Sequence, residues 1–388
     1  MLEINSKLDE IEVSVIRKIS EASAKYKNMD TGKNLINLTI GEPDLEQPKI
    51  ITKEIQKYIE ENKISYAQLG GFIALREEIA KNYESKYKVS CSAEDIIITV
   101  GTTEGIATTV KTIIQEGDEV LIPLPAYPGY EPLIILAGAK LIKMDTSEDN
   151  YELTVENLKK YVTPKTRAII VNYPSNPSGV LISKKNRDEI LKFAKENDLY
   201  IISDEVYSEI IFEGEYNSFL TNEYRENVIL LSGFSKSHSL TGWRIGYIIS
   251  SKELRKSLLK VHQYSVTSAS SISQMAGLVA LTRCSDISKV VNIYKDRAEK
   301  VYDRFKSAGI DPIKPQGAFY IFIPLKKFGI TDCYKFCLDF LEQERVAVVP
   351  GSAFSMDGYI RISLIESTEI LLEATDRMIN FINKNYNK

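Results

Sequence analysis

Between Ile96 and Ile249 the chain returns repeatedly to short apolar runs: "IIITV" (Ile96–Val100), "EVLIPL" (Glu119–Leu124), "AKLIKM" (Ala139–Met144), "RAIIVNY" (Arg167–Tyr173), "LYIIS" (Leu199–Ser203), "NVILLS" (Asn227–Ser232) and "WRIGYII" (Trp243–Ile249). Several are continuously apolar, as strands covered on both faces are. Amphipathic stretches separate several of them, such as "SKKNRDEILKFAKEND", where Ser183 is placed to cap a helix N-terminus. The pattern predicts an α/β fold with a mostly parallel central sheet sandwiched by helices.

After Gly277 the pattern turns helical through about Ala308, with Gly309 as the stop. The runs "GAFYIFIP", "RVAVVP" and "YIRISL" follow, and then a last helix from about Ser367 to Asn385. That tail reads as a smaller α+β domain. The expected division is a large domain over 46–290 and a small one over 291–388, with the N-terminal segment 1–45 packing on the latter. The small domain is thus built from both termini.

The net charge of −4 and the lack of any block of five basic residues leave no footprint for nucleic acid or an anionic membrane, so a small-molecule partner is expected. No run has the length of a membrane span or the form of a signal peptide, and the expected location is the cytoplasm. Four scattered cysteines make no disulfide scaffold; Cys333 and Cys337 would share one helix face. Two histidines, His238 and His262, are too few for zinc clusters, and no metal site is expected. His238 reads as structural. The chemistry is expected to come from a bound cofactor.

Several separate features could serve one. In "SGFSKSHSLTGWRIGY", Lys236 stands in a small, polar run with Arg244 eight residues on. In "IIITVGTTEGIATTVKTII" a strand stops at Gly101 and a helix opens with Thr102 and Thr103, a start that can bind an anion or simply connect two elements. "LYIISDEVYSEI" puts Asp204 at a strand end, where open α/β sheets bind ligands, with Tyr207 three residues on; a solvated acid is the plainer reading. "NYPSNPSGV" can hold the Asn176 amide rigidly or merely turn the chain, and "PLPAYPGYE" offers Tyr127 and Tyr130 as stacking surfaces or as core. Arg361 in "GYIRISL" needs an anion, from the protein or from a substrate carboxylate.

Together these meet the needs of pyridoxal 5′-phosphate: an amine, a ring acid, donors to the phenolic oxygen, a flat partner, a phosphate cup, and an arginine for the amino-acid carboxylate. Lys236 would supply the amine, and Ser235 and Arg244 would help hold the phosphate.

The ordered set "LTIGEPD", "SYAQLGG", "GTTEGI", "PAYPGYEP", "NYPSNPSG", "SDEVY", "SKSHSLTGWRIGY", "GAFYIF", "VVPGSAF" and "YIRIS" resembles the fold-type-I, pyridoxal-phosphate-dependent class I/II aminotransferases along nearly the whole chain. The resemblance implies Lys236 as the Schiff-base lysine and proton carrier, Asp204 at the ring nitrogen, and Tyr207 and Asn176 at the phenolic oxygen. Tyr127 would stack on the ring. Thr102, Thr103, Ser235 and Arg244 would hold the phosphate with Tyr66 from a neighbouring subunit. Arg361, Asn176 and the Gly41 backbone would take the substrate carboxylate. It also implies a homodimer that exchanges amino groups between an L-amino acid and a 2-oxo acid.

Thr103 stands where some aspartate-specific relatives carry a lysine, which counts against aspartate as the preferred donor. Ser232 and Gly233 leave one phosphate-binding serine of other members unmatched. "YPGYEPLI", "LSGFSKSHSLTGWRIG" and "KVHQYSVTSASSISQMA" resemble the aminotransferase A branch, some of whose members are assigned to N-acetyl-L,L-diaminopimelate. A carbon–sulfur β-lyase acting on cystathionine-type substrates shares the fold and most of these contacts. A non-catalytic domain that senses the cofactor is the alternative from another class; it would be expected to follow a DNA-binding domain, for which the sequence before "LINLTIGEPD" has no room.

Overall fold

The computed structural model describes residues 4–26 and 33–386. Parts of the 1–45 segment, residues 1–3 and 27–32, lie outside the described residues. In chain order the strands are β1 (Ile36–Asn37), β2 (Ile96–Thr99), β3 (Glu119–Leu124), β4 (Lys140–Asp145), β5 (Thr166–Asn172), β6 (Tyr200–Asp204), β7 (Val228–Gly233), β8 (Gly246–Ile249), β9 (Tyr320–Pro324), β10 (Val346–Ala347), β11 (Val349–Pro350) and β12 (Tyr359–Ser363).

Seven of them form one sheet in the order β2-β8-β7-β6-β5-β3-β4. It is parallel except for β8, which runs antiparallel to β2 and β7. The continuous apolar runs have a direct cause. Ile169, Val171 and Ile201 pack into the core on one face, while Ala168, Ile170 and Ile202 pack into the core on the other. All six are 1% exposed or less. Each buried isoleucine or valine contributes roughly 1.5–3 kcal/mol of burial, so neither face tolerates a polar residue cheaply.

One expected strand is shorter than its apolar run. Only Gly246–Ile249 pairs with β2 and β7, and Trp243 and Arg244 belong to a turn over 241–244. Arg244 has φ of +49°, a left-handed backbone that no strand contains.

The helices follow their capping chemistry. Ser183 caps Lys184–Glu196 by accepting the N–H of Asn186, and Ser367 caps Thr368–Asn385 by accepting that of Ile370. Cys333 and Cys337 are buried on the helix Cys333–Glu344, and all four cysteines are free thiols.

A three-stranded antiparallel sheet, β11-β12-β9, sets Arg361 opposite Phe322 and Val349. β1 pairs in parallel with β10. Ile19, Ile36 and Leu38 share a core with Phe336, Phe340 and Met378, so the start and the end of the chain pack together. Among the described residues no helix is long and apolar enough to cross a membrane.

Candidate functional site

The parallel strands deliver their C-terminal ends to one edge of the sheet. The chain crosses from one side of β3 to the other between β4 and β5, the kind of switch point at which open α/β sheets leave a crevice. A cavity of about 1010 Å³ lies there. Its wall includes Gly41, Thr102, Thr103, Tyr127, Asn176, Asp204, Tyr207, Ser235, Lys236, Arg244 and Arg361. The site residues anticipated from sequence therefore converge, except Tyr66, which lies outside this wall with 88% of its surface exposed.

Asp204 closes β6 and is buried. Oδ2 accepts the Tyr130 hydroxyl at 2.8 Å, and Oδ1 accepts the Val206 N–H at 3.3 Å. Burial pushes its pKa up to about 6 against these donors and the charge of Lys236. Among the described residues the acid thus has no cationic partner in direct contact, which a protonated nitrogen in the cavity would supply.

Lys236 follows β7, with Nζ donating to the carbonyl of Gly41 at 2.6 Å. Burial brings its pKa down to about 8; Glu42 and Asp204 oppose the shift, and Arg244 and Arg361 add to it. An amine so placed is partly neutral near pH 8 and can act as a nucleophile or base.

The helix Gly101–Ile113 points its N-terminus into the cavity, where Thr102 and Thr103 join Ser235 and Arg244. Unpaired N–H groups, three hydroxyls and a guanidinium make a donor set suited to a phosphate. Gly101 has φ of +70°, and a Cβ there would come within 2.7 Å of Arg244 Nη2. The glycine allows both the turn and the close approach of the guanidinium.

Arg361 is only 2% exposed. Nη1 donates to Asn176 Oδ1 at 3.1 Å and Nη2 to the carbonyl of Thr39 at 2.6 Å, but buried Nε has no hydrogen-bond partner among the described residues. The guanidinium lies between the rings of Tyr320 and Phe354, at 4.5 and 5.0 Å. Neutral acceptors and aromatic faces leave its charge unbalanced, and a ligand carboxylate would balance it.

Tyr207 and Tyr320 share a hydroxyl hydrogen bond of 2.7 Å, and Tyr127 meets Tyr130 edge to face. Burial raises the Tyr207 pKa, so the phenol stays protonated and able to donate. Gly41 sits against this pair, since a Cβ there would reach Tyr320 Oη at 2.5 Å.

Several contributors are not singled out by the sequence. Asn172, at the end of β5, donates to the carbonyl of Asp204 at 2.8 Å and accepts the Asn176 N–H at 2.9 Å. Tyr320 and residues Glu10–Arg17 also line the wall, as does Tyr130, which the sequence offers beside Tyr127 as a stacking or core residue. The alternation of "GAFYIFIP" could have marked Tyr320 as facing away from its neighbours, but not toward what. His238 is buried, with Nδ1 at 2.8 Å from Ser237 Oγ and Nε2 at 3.2 Å from the Cys284 carbonyl, and it lies outside the wall.

Amine, buried acid, anion cup and carboxylate clamp on one wall fit pyridoxal phosphate together with an amino acid. Relatives agree with that fit. The probable N-acetyl-LL-diaminopimelate aminotransferase of Bacillus subtilis (strain 168) is 41% identical over 385 residues, covering 98% of this chain and 96% of that protein. The (5-formylfuran-3-yl)methyl phosphate transaminase of Methanocaldococcus jannaschii is 40% identical over 358 residues, covering 91% and 93%. The crystal structure of aspartate aminotransferase from Thermotoga maritima has a TM-score of 0.93 at 33% identity, covering 98% of this chain and 100% of that one. Residues 33–377 match the family described as aminotransferase class I and II. The chain belongs to this family and is a fold-type-I, pyridoxal-phosphate-dependent aminotransferase.

Proposed function

We propose that this aminotransferase takes N-acetyl-L,L-diaminopimelate as its amino donor and 2-oxoglutarate as its acceptor, in two half-reactions on one site. The observation that carries amino-acid recognition is the buried Arg361, whose Nε is unpaired and whose charge no carboxylate balances among the described residues. The donor is supported by the 41% identity to the Bacillus subtilis relative over nearly the full length of both chains.

Bound in the cavity, pyridoxal phosphate supplies a reactive carbonyl and a ring that withdraws electrons from the substrate Cα. Lys236 would hold the cofactor covalently until the substrate amine displaces it, and the freed amine, whose pKa burial lowers to about 8, would take the proton from Cα and return it. Asp204 would keep the ring nitrogen protonated. Tyr207 and Asn176 would donate to the phenolic oxygen, and Tyr127 would cover one face of the ring. Thr102, Thr103, Ser235 and Arg244 would hold the phosphate. Arg361 would bind the α-carboxylate with Asn176 and the Gly41 backbone. Tyr66, exposed on this chain, would reach the phosphate of a partner subunit in a homodimer.

The test is product analysis. Glutamate formed from 2-oxoglutarate with N-acetyl-L,L-diaminopimelate, in preference to aromatic or branched-chain donors, is the expected result. Free turnover of those donors without the acetylated one would overturn the donor. Release of ammonia and pyruvate from cystathionine, without glutamate formation, would replace transamination with β-elimination.

A further inference from the structure

Tyr320 opens β9, pairs with Ser363 of the strand that carries Arg361, and is only 1% exposed. It touches three parts of the site at once. The Arg361 guanidinium lies 4.5 Å over its ring, its hydroxyl stands 2.7 Å from that of Tyr207, and a Cβ on Gly41 would come within 2.5 Å of that hydroxyl. The rings of Tyr320 and Tyr207 meet edge to face at 5.7 Å. Since the Gly41 carbonyl also accepts Lys236 Nζ, the tyrosine pair stands between the carboxylate clamp and the amine.

The two hydroxyls have two protons and one hydrogen bond. Among the described residues the bond between them is the only one that either makes, so one proton is spare. Both residues line the cavity, and position alone does not decide which proton that is. Charge does. Burial raises the pKa of both phenols; at Tyr320 the first influence to oppose it is the charge of Arg361, whereas at Tyr207 the neighbouring Tyr320 adds to burial before Arg361 opposes, and Asp204 adds again. Tyr320 is thus the stronger acid of the pair, and the stronger acid donates. The close approach of Gly41 points the same way, because its Cα accepts no hydrogen bond and stands beside the Tyr320 oxygen.

We infer that Tyr320 is the positioning residue that aims Tyr207: it donates to the Tyr207 oxygen and so commits the single proton of Tyr207 to the phenolic oxygen of pyridoxal phosphate. The inference rests on the reading in which Tyr207 serves that oxygen, and it deepens that reading by naming what orients the donor. A hydroxyl that accepts a hydrogen bond is itself a better donor, so bonds in series strengthen one another. The series here runs from Tyr320, under the Arg361 charge, through Tyr207 to the cofactor.

The experiment is a pH titration of the visible absorption of the cofactor-loaded protein without substrate. The phenolic oxygen of the lysine-bound cofactor is negative, and it depends most on protein donors once the nitrogen that joins it to Lys236 has lost its proton. Weaker donation therefore raises the pKa of that nitrogen. Tyr207→Phe is expected to raise it by roughly 1 to 2, the scale of one hydrogen bond to a charged oxygen. Tyr320→Phe, which keeps the ring under Arg361, is expected to raise it by roughly 0.3 to 0.6, the share that one bond adds to the next in a chain. In the Tyr207→Phe background, Tyr320→Phe is expected to move it no further. A fall in Tyr320→Phe, as when Tyr207 is the donor and is released, overturns the inference. An unchanged value, or an equal rise in the Tyr207→Phe background, does the same. If Tyr207→Phe alone leaves the pKa where it was, the assignment of Tyr207 to the phenolic oxygen fails and the inference falls with it. A shift there without one in Tyr320→Phe sinks the role of Tyr320 alone.

Discussion

The Tyr130 hydroxyl donates a 2.8 Å hydrogen bond to Oδ2 of Asp204, joining the turn after β3 to the end of β6 inside the protein. A buried carboxylate with so few donors is held in its charged form largely by this bond. Tyr130→Phe is expected to lower the stability of the cofactor-free protein by about 1.5–3 kcal/mol at pH 8, the range for hydrogen bonds to charged groups. The loss should shrink near pH 4.5, where Asp204 is protonated. Denaturant unfolding at the two pH values checks it, and an equal loss at both would contradict it.

Asp204 itself carries a pH signature. Its pKa is about 6 in the folded protein against 3.8 for the unperturbed group, so the folded state binds this proton more tightly than the unfolded chain. Its contribution to stability is complete below 3.8 and is lost as pH rises through 6. The difference of about two units corresponds to ~3 kcal/mol. Without cofactor, Asp204→Asn should therefore lose less stability than wild type between pH 4.5 and pH 8. Identical pH slopes in the two proteins would refute the shift.

Lys236 moves in the other direction. Burial lowers its pKa to about 8, so the fraction of neutral amine rises through that pH. In the cofactor-free protein its labelling by an acylating reagent, followed by mass spectrometry, should show a midpoint near 8 while exposed lysines titrate higher. A Lys236 midpoint matching theirs would remove the claim that this amine is primed by its surroundings.

Much of this was legible in the chain. The sheet is readable because Ile169 and Ile170, or Ile201 and Ile202, point to opposite faces that are both buried, which leaves an uninterrupted apolar run. Ser183 and Ser367 mark helix starts through chemistry that lies within three residues. Asp204 and Lys236 stand out because a charge directly beside a buried strand needs a reason. Asn172 and Tyr320 do not stand out. Their partners are set by strand register, such as Asn172 opposite Asp204, or by contact between segments far apart in the chain, such as Tyr320 with Tyr207. The turn over 241–244 was hidden for a similar reason: an apolar run does not reveal the positive φ of Arg244.

Asn172 links the two ends of the site. Its amide donates to the Asp204 carbonyl and accepts the N–H of Asn176, whose side chain in turn accepts from Arg361. Asn172→Asp keeps the acceptor for Asn176 but loses the donor to Asp204. Asn172→Ala loses both. KM for the amino donor is expected to rise about 10-fold or more in the alanine variant, the scale of one or two hydrogen bonds, and less in the aspartate variant. Steady-state kinetics separates these outcomes. Equal KM values in both variants and wild type would show that the Arg361 clamp does not depend on Asn172.

The most direct measurement is a single half-reaction watched in the visible absorption of the cofactor-loaded protein. Added alone, N-acetyl-L,L-diaminopimelate should abolish the band of the lysine-bound cofactor, and 2-oxoglutarate added afterwards should restore it with one glutamate formed per site. A band that persists with every amino acid offered, or one whose loss is accompanied by free ammonia and no recovery with a 2-oxo acid, would contradict transamination at this site.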